Sequence, residues 1–310
     1  MHSSTSSRVY SNITKVIFIV ATVVLGGCFK SAELGSKDRP IKLYFTPSVD
    51  SQTITTNSKD FIQFLEKETG YTYEAGIPAS YIAVVEAFGS QRADIGVINS
   101  FSYLLANEKY GAQAKLKVIR HGLDYYQGQI IARADSGIDK VEKINGKKFA
   151  YTDPSSTSGY MFPKKLLMDK NIAPSDHVFA GKHDSVVTMV YQKQVDAGAT
   201  FYSPPFEDGT LGDARGRVVT QFPDVADKVK IIEMTEKIPN DPFVFRKDFP
   251  PAMTDKFIVA VKKYLETEKG KEVFKNIYSF EGVVETTDKE YDGFRQMVKA
   301  INVNPSEMAK

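Results

Sequence analysis

Segments with the apolar pattern of a β-strand alternate with segments that have the pattern of an α-helix along most of this chain. A strand is predicted at residues 41–46, and apolar residues at helical spacing follow it at 61–65. Strands predicted at 71–74 and 94–98 are each followed by another helical pattern. This alternation is typical of a doubly wound α/β sheet, in which helices cover both faces of largely parallel strands.

A second series of strands and helices starts after residue 146 and continues to about residue 201. The segment 205–228 then contains several Gly and Pro and has little periodicity, so we predict a long excursion with some helix there. Residues 252–301 are predicted to be mostly helical. Two α/β units in series indicate two lobes. Since open α/β sheets bind ligands at the carboxyl ends of their strands, we expect a ligand in the cleft between the lobes.

Four consecutive hydroxyl side chains, at residues 155–158, lie between a strand predicted to end at Tyr151 and a helix predicted to begin near Tyr160. The first backbone N–H groups of a helix lack intrahelical partners and lie at the positive end of the helix dipole. The hydroxyls add hydrogen-bond donors, and Gly159 lets a ligand approach the main chain. The run therefore predicts an anion-binding site. In the alternative interpretation, one hydroxyl caps the helix and the others belong to a polar loop.

The N-terminus has the pattern of an export signal. Two basic residues precede an apolar run at residues 16–25, which is too short for an ordinary transmembrane helix. The Leu-Gly-Gly-Cys sequence that ends at Cys28 resembles the bacterial lipobox, in which the Cys becomes the lipid-modified first residue of the mature protein. We therefore predict a signal peptide at 1–27 and a lipidated tether at 28–39. The product is an exported lipoprotein on the extracytoplasmic or periplasmic face of a membrane; the alternative is a plain secretory signal with an incidental Cys.

Charge and motif content exclude several classes of protein. Removing residues 1–27 takes away two of the 40 Lys and Arg and none of the 38 Asp and Glu, which leaves 38 of each. A nucleic-acid-binding protein normally has a basic excess, so we expect no nucleic-acid partner. His121 lies far in the sequence from His177 and His183, and no Cys lies near any of the three, so no metal site or other cofactor is predicted.

An enzymatic function is also disfavoured. The sequence contains neither a Gly-x-Ser-x-Gly motif nor a phosphate-binding Gly-x-x-x-x-Gly-Lys-[Ser/Thr] motif. His183 and Asp184 are neighbours on one predicted helix and point in different directions, so they cannot form a catalytic relay with Ser156. We therefore predict that the protein is not an enzyme.

Several short segments, taken together, resemble one known family. They are Phe-Ala-Tyr-Thr-Asp-Pro-Ser-Ser-Thr-Ser-Gly-Tyr at 149–160, Gly-Lys-His-Asp-Ser-Val-Val at 181–187, Gln-Val-Asp-Ala-Gly-Ala at 194–199, Ile-Pro-Asn-Asp-Pro at 238–242, and Asp-Ile-Gly-Val at 94–97 with Ser102 and Tyr103. Their order and spacing resemble those of the phosphate/phosphite/phosphonate substrate-binding proteins of ABC transporters. The resemblance covers about residues 41–250.

The resemblance implies a type II periplasmic-binding-protein fold, in which two α/β lobes are joined by crossing strands and the ligand lies in the interlobe cleft. Lobe I would consist of residues 40–124 and 243–310, and lobe II of residues 125–242. The implied function is that of a solute-binding component of an ABC importer. It would capture a phosphonate, phosphite or phosphate by lobe closure and deliver it to the membrane permease. We expect a monomer, and a receptor of the same fold that signals to a membrane sensor is the alternative.

Site residues follow from the resemblance by position. Ser156, Thr157 and Ser158 are the implied donors to the phosphonate oxygens, and His183 is a second-lobe group at the start of its helix. Tyr103 is the implied first-lobe aromatic that covers the ligand, although a tyrosine on an apolar helix face is more often a core residue. Asp241, in the Ile-Pro-Asn-Asp-Pro segment, is a further candidate. Acidic residues hold the amino group in members of the family that bind aminophosphonates, and the sequence leaves open whether the ligand of this protein carries an amino group.

Three other residues are candidates from their positions in the chain. Asp50 follows the carboxyl end of the first strand, Tyr126 precedes a presumed crossing strand, and Ser155 opens the hydroxyl run. Two protonation states of His183 remain open at this point. A neutral imidazole that donates one N–H to an anion and an imidazolium whose charge the anion offsets are both chemically reasonable.

Overall fold

The computed structural model describes residues 32–301. The predicted signal peptide, Cys28 and the first residues of the predicted tether lie outside this range. Between residues 32 and 301, no helix has both the length and the apolar character that crossing a bilayer requires.

Strands and helices alternate as the sequence predicts. The strands are β1 Ile41–Phe45, β2 Tyr73–Gly76, β3 Ile95–Val97, β4 Gln113–Ile119, β5 Tyr125–Arg133, β6 Lys148–Tyr151, β7 Asp176–Phe179, β8 Ala197–Tyr202, β9 Val229–Pro239, β10 Pro242–Phe245 and β11 Gly282–Glu285. The α-helices are α1 Ser51–Thr69, α2 Tyr81–Gly89, α3 Ser100–Tyr110, α4 Phe162–Asp169, α5 His183–Tyr191, α6 Val225–Lys228, α7 Pro251–Leu265, α8 Glu268–Tyr278 and α9 Asp292–Ala300.

The strands form two sheets. The first has the order β11-β4-β10-β3-β1-β2, and the second has the order β7-β6-β8-β5-β9. In the first sheet β1 is parallel to β2 and β3, whereas β10 runs antiparallel to its neighbours β3 and β4. In the second sheet β6 is parallel to β7 and β8, and β5 is antiparallel to β8 and β9. The chain passes from the first sheet to the second between β4 and β5 and returns between β9 and β10, which makes this a mixed α/β fold with two sheets.

Apolar side chains cover both faces of each sheet. One cluster packs α1, α7 and α8 on the first sheet and contains the largest group of aromatic residues, including Phe61, Phe257 and Phe274. A second cluster packs α2, α3 and α9 on the opposite face. Two smaller clusters flank the second sheet, one with α4 and one with α5. Both faces are covered, so the carboxyl edges of the parallel strands are left for polar residues.

The structure differs from the sequence-based expectation in two segments. Residues 252–301 contain β11, which pairs antiparallel with the edge strand β4, and its half-exposed Gly-Val-Val-Glu sequence is too short to give a recognisable period. Part of the predicted tether is also packed on the body of the protein. The carbonyl of Gly35 accepts a hydrogen bond of 2.7 Å from Thr72 N, and Leu34 contacts the first apolar cluster.

Candidate functional site

A cavity of about 50 Å³ lies where the carboxyl ends of β1, β3 and β6 meet. One buried water requires about 10–15 Å³ of such cavity volume, so this cavity has room for a small ligand. Its lining residues come from both sheets and their helices and are Thr46, Ser48, Val49, Tyr81, Val97, Ile98, Asn99, Val118, Arg120, Tyr126, Ser156, Thr157, Ser158, His183, Phe201, Arg217, Asp241, Ile277, Tyr278 and Phe280.

The hydroxyl run forms the turn between β6 and α4. Ser156 caps this turn, because its Oγ accepts a hydrogen bond of 3.0 Å from Gly159 N. Residues Thr157–Met161 then form a single π-helical turn that leads into α4. The N–H groups of Thr157 and Ser158 open this turn and therefore have no partner in a preceding turn. Ser156 and Ser158 are buried and line the cavity.

The Thr157 hydroxyl is hydrogen-bonded to residues on the other side of the cavity. Its Oγ1 donates to Asn99 Oδ1 at 2.7 Å and accepts from Phe101 N at 2.9 Å. Asn99 is the N-cap of α3, which packs on the first sheet. Thr157 therefore connects the second-sheet turn to a first-sheet helix, and its single hydroxyl proton is already used for that contact.

We expect the substitution Thr157→Val to lower the free energy of unfolding by about 1–2 kcal/mol, because it removes a buried hydroxyl at nearly constant shape. Asn99 Oδ1 would lose a donor, and Phe101 N would lose its nearer acceptor. Urea denaturation measures the change. Thr55→Val is the matched control, since the Thr55 hydroxyl is exposed and bonds only to Ser51 O within α1. Equal stability of the two variants would contradict a connecting role for Thr157.

His183 lies at the first residue of α5 and is buried in the cavity wall. Its Nδ1 lies 2.9 Å from Thr200 Oγ1 and 3.1 Å from Thr152 Oγ1. Thr152 donates its proton to Ala199 O. Among the described residues, His183 Nδ1 is the hydrogen-bond partner of the buried Thr200 hydroxyl, so the favourable arrangement has Thr200 donating to Nδ1. Nε2 of a neutral imidazole then carries the hydrogen and acts as a donor.

Burial also settles the charge of His183. Desolvation, aided by the positive charge of Arg217, lowers the pKa of His183 to about 3. The imidazole is therefore neutral at physiological pH in the unliganded protein, and of the two states left open by the sequence the neutral donor is the one that this geometry supports.

Asp241 is paired with an arginine. Arg120 Nη2 donates to Asp241 Oδ2 at 2.7 Å, and the same guanidinium donates to Asn240 Oδ1 and to Tyr278 O. The other carboxylate oxygen, Asp241 Oδ1, is buried and has no hydrogen-bond partner among the described residues. Both residues line the cavity, so the free oxygen is available to a donor on a ligand.

Three tyrosines complete the wall. The buried hydroxyl of Tyr81 has no hydrogen-bond partner within residues 32–301, whereas that of Tyr278 donates to Thr46 O at 2.8 Å. Burial, with the negative charge of Asp241 acting in the same direction, is the main effect on the pKa of Tyr126. Burial raises the pKa of all three phenols, so each remains a neutral donor.

Three predicted site residues are not at the cavity. Tyr103 is fully buried in the second apolar cluster, where its hydroxyl donates to Asp288 Oδ1 at 2.6 Å and its ring packs on Tyr291. Asp50 is exposed and caps α1 by accepting from Thr53 N at 3.0 Å. Ser155 is buried, and its backbone N donates to Asp153 Oδ1 at 2.7 Å. The aromatic residues from the first-sheet half of the protein that do line the cavity are Tyr81, Tyr278 and Phe280.

Sequence reasoning missed Tyr81, Asn99, Arg120 and Arg217. Asn99 follows the carboxyl end of β3 and caps the next helix, a signal that the rule for open α/β sheets would have found. The described residues contain no group of three or more His, Cys, Asp or Glu placed to hold a metal ion.

Comparison with known proteins places the chain in a family. Residues 43–291 match the family model described as "ABC transporter, phosphonate, periplasmic substrate-binding protein". The chain is 26% identical to the phosphate-import protein PhnD of Mycolicibacterium smegmatis, over 87% of both chains.

Solved structures share the fold. A binding-protein component of an ABC phosphonate transporter from Pseudomonas aeruginosa matches with a TM-score of 0.74 and 21% identity, over 87% of this chain and 92% of that one. PhnD1 of Prochlorococcus marinus, solved in complex with methylphosphonate, matches with a TM-score of 0.72 and 15% identity, over 84% and 98% of the two chains. These likenesses confirm the predicted type II periplasmic-binding-protein fold. The chain belongs to the periplasmic substrate-binding proteins of phosphonate ABC transporters.

Proposed function

We propose that the cavity binds a small tetrahedral phosphorus oxyanion without an amino group, such as phosphate, phosphite or methylphosphonate. The observation that carries this proposal is a pair of buried polar atoms without partners, Tyr81 Oη and Asp241 Oδ1, on the wall of one cavity. Buried polar groups in proteins are almost always paired, so two unpaired polar atoms on residues that line the same small space support a polar ligand there.

The donors and acceptors around the cavity fit such a ligand. Ser156, Ser158, Tyr81 and His183 Nε2 supply neutral donors to its oxygens. Asp241 Oδ1 supplies one acceptor, which suits the proton that hydrogen phosphate or a phosphonate monoanion carries. Each hydrogen bond to a charged ligand contributes about 1.5–3 kcal/mol, so three or four support micromolar or tighter binding.

The positive groups of the cavity argue against an amino-bearing ligand. One oxygen of Asp241 is already paired with Arg120, and Arg217 lines the same space. An ammonium group would approach two guanidinium groups and share its only carboxylate with one of them, which is unfavourable. The carboxylate that an aminophosphonate would need is therefore neutralised by the protein itself.

The wider role follows from the family. We propose that two lobes, with the boundaries predicted from the sequence, close on the oxyanion and present it to the permease of an ABC importer. Contacts such as Thr157 with Asn99 and His183 N with Ser48 O, which join the two sides of the cavity, support closure. The import and binding functions in the relatives' names support a binding role rather than a catalytic one. A lipid anchor at Cys28 and a monomeric state remain part of the proposal.

Isothermal titration of residues 29–310, dialysed free of phosphate, tests the ligand assignment. We expect micromolar or tighter binding of phosphate, phosphite or methylphosphonate, and binding of 2-aminoethylphosphonate at least about tenfold weaker. Sulfate is a control of similar shape that lacks a proton for Asp241 at neutral pH. Absence of binding to all phosphorus oxyanions would contradict the proposal, and preference for 2-aminoethylphosphonate would contradict the exclusion of an amino group.

A further inference from the structure

Arg217 is a cation at the cavity that comes from a part of the chain with no recognisable motif. It lies on the short 3₁₀ helix Ala214–Val218, within the segment of residues 203–228 that connects β8 to β9. We refer to this as the β8–β9 segment. Arg217 is half-buried and is one of the residues that line the cavity.

The hydrogen-bond partners of Arg217 are neutral and belong to the other side of the cavity. Its Nη1 donates to Asn276 O, and its Nη2 donates to Ser279 Oγ at 2.7 Å. Asn276 and Ser279 lie at the carboxyl end of α8, a helix that packs on the first sheet. The side chain therefore reaches from the second-sheet half of the protein to the first.

Among the described residues, the charge of Arg217 lacks the carboxylate partner that Arg120 and Arg215 have. Within residues 32–301, no carboxylate lies within ion-pair distance of Arg217, whereas Arg120 is paired with Asp241 and Arg215, two positions earlier, is paired with Asp213 at 2.7 Å. Desolvation lowers the pKa of Arg217 to about 10, with Arg120 acting in the same direction and Asp184 opposing it. The guanidinium is still protonated at neutral pH, and a desolvated charge without a counterion is unfavourable.

We propose that Arg217 supplies the positive charge that pairs with the bound oxyanion, and that it links ligand binding to contact between the β8–β9 segment and α8. A guanidinium has five N–H donors, and the two hydrogen bonds to α8 leave three for a ligand. This inference rests on the proposed function and adds to it a residue that favours the more highly charged form of the ligand.

Other contacts place the same segment against the first-sheet half of the protein. His121 Nε2 lies 3.1 Å from Ser203 Oγ, and Lys275 Nζ lies 3.8 Å from the centre of the Phe206 ring. Ser279 Oγ is also in reach of Gly212 O. An anion held by Arg217 would thus add to a boundary at which the β8–β9 segment and the first-sheet half are already in contact.

Titration of phosphate into the wild type, Arg217→Gln and Arg217→Lys tests the charge. We expect Arg217→Gln to weaken binding by about 10- to 100-fold and Arg217→Lys to weaken it less, because the charge remains. Lys147→Gln is the matched control, since it removes one positive charge from an exposed turn of the second-sheet half and should bind like the wild type. Thermal unfolding of each variant confirms that it is folded.

The pH dependence of phosphate affinity distinguishes charge pairing by Arg217 from a merely structural contact. Wild-type affinity should rise across the pH range in which phosphate acquires its second negative charge, and the rise should be smaller in Arg217→Gln. Ser279→Ala, which removes a neutral partner on α8 and keeps the charge, should retain the wild-type slope. A variant Arg217→Gln with wild-type affinity and slope overturns the inference, provided that the wild type binds phosphate. A wild type that binds no phosphorus oxyanion overturns the proposed function instead.

Discussion

Gly159→Ala is expected to destabilise the protein by at least about 3 kcal/mol and to abolish oxyanion binding. A Cβ atom at position 159 would lie 2.2 Å from Thr152 Oγ1, 2.5 Å from Thr152 Cβ and 2.9 Å from Ser156 Oγ. Thr152 is fully buried, and its hydroxyl contacts both His183 Nδ1 and Ala199 O, so it cannot move without disturbing the cavity wall. Overpacking of this kind costs about 1–3 kcal/mol, and the displaced hydrogen bonds add about 1 kcal/mol each.

Urea denaturation and phosphate titration measure the two effects of Gly159→Ala. Gly293→Ala is the control, because within residues 32–301 no atom beyond its chain neighbours and its own helix backbone lies within 4 Å of a Cβ at that position in α9, and alanine is the better helix former. That control should be as stable as the wild type or more so, with unchanged binding. Wild-type stability of Gly159→Ala would show that the hydroxyl turn tolerates a side chain at its centre, and would contradict the close packing described here.

The parts of the site that could be predicted from the sequence are those encoded by local chemistry. A strand followed by hydroxyls and a helix places Ser156 and Ser158 at the carboxyl edge of a sheet wherever that sheet lies. His183 follows the same logic, since it opens the helix after β7. Such positions depend on neighbours within a few residues, which a single sequence displays.

Positions set by long-range packing could not be predicted in this way. Tyr103 follows a strand end just as Asn99 does, but the face of α3 that meets the cavity is decided by Asp288 and Tyr291, which lie near the C-terminus. The pairing of Asp241 with Arg120 joins residues 121 positions apart. No local pattern indicates either contact. The resemblance to the family assigned roles to single residues by position and gave no information about the residues that they contact.

Exposed or irregular segments escaped prediction for a different reason. The strand expected at 229–232 extends as β9 to Pro239, but two exposed charged residues, Glu236 and Lys237, stand side by side in its second half, so this half lacks the alternation that marks a half-buried strand. The β8–β9 segment contains only the short helices Ala214–Val218 and Val225–Lys228, in agreement with the predicted excursion. This segment contributes Arg217 to the site. The position of Arg217 is set by the path of the segment in three dimensions, which no periodic pattern in the sequence indicates.

His183 is expected to make the protein less stable as the pH falls below 6.5. Its pKa is about 3 in the folded protein and returns to about 6.5 on unfolding, so between these values the unfolded state binds more protons. As the pH falls below 6.5, the contribution of His183 should therefore lower the free energy of unfolding by up to about 1.4 kcal/mol per pH unit. Above pH 6.5 this contribution should not change with pH. The groups that face the imidazole, Thr152, Thr200 and the cation Arg217, offer no negative charge to offset protonation.

Urea denaturation of the wild type and His183→Gln between pH 7 and about pH 4.5 tests this expectation, because carboxylates contribute equally to both and cancel in the difference. The stability advantage of the wild type should shrink by about 2–3 kcal/mol over this range, whereas the exposed His177→Gln should follow the wild type throughout. Parallel curves for the wild type and His183→Gln would mean that His183 has the same pKa in the folded and the unfolded protein. The imidazole would then become a cation beside Arg217 as the pH falls below about 6.5, and below that pH recognition of the oxyanion would depend on two positive charges in place of one charge and a neutral donor.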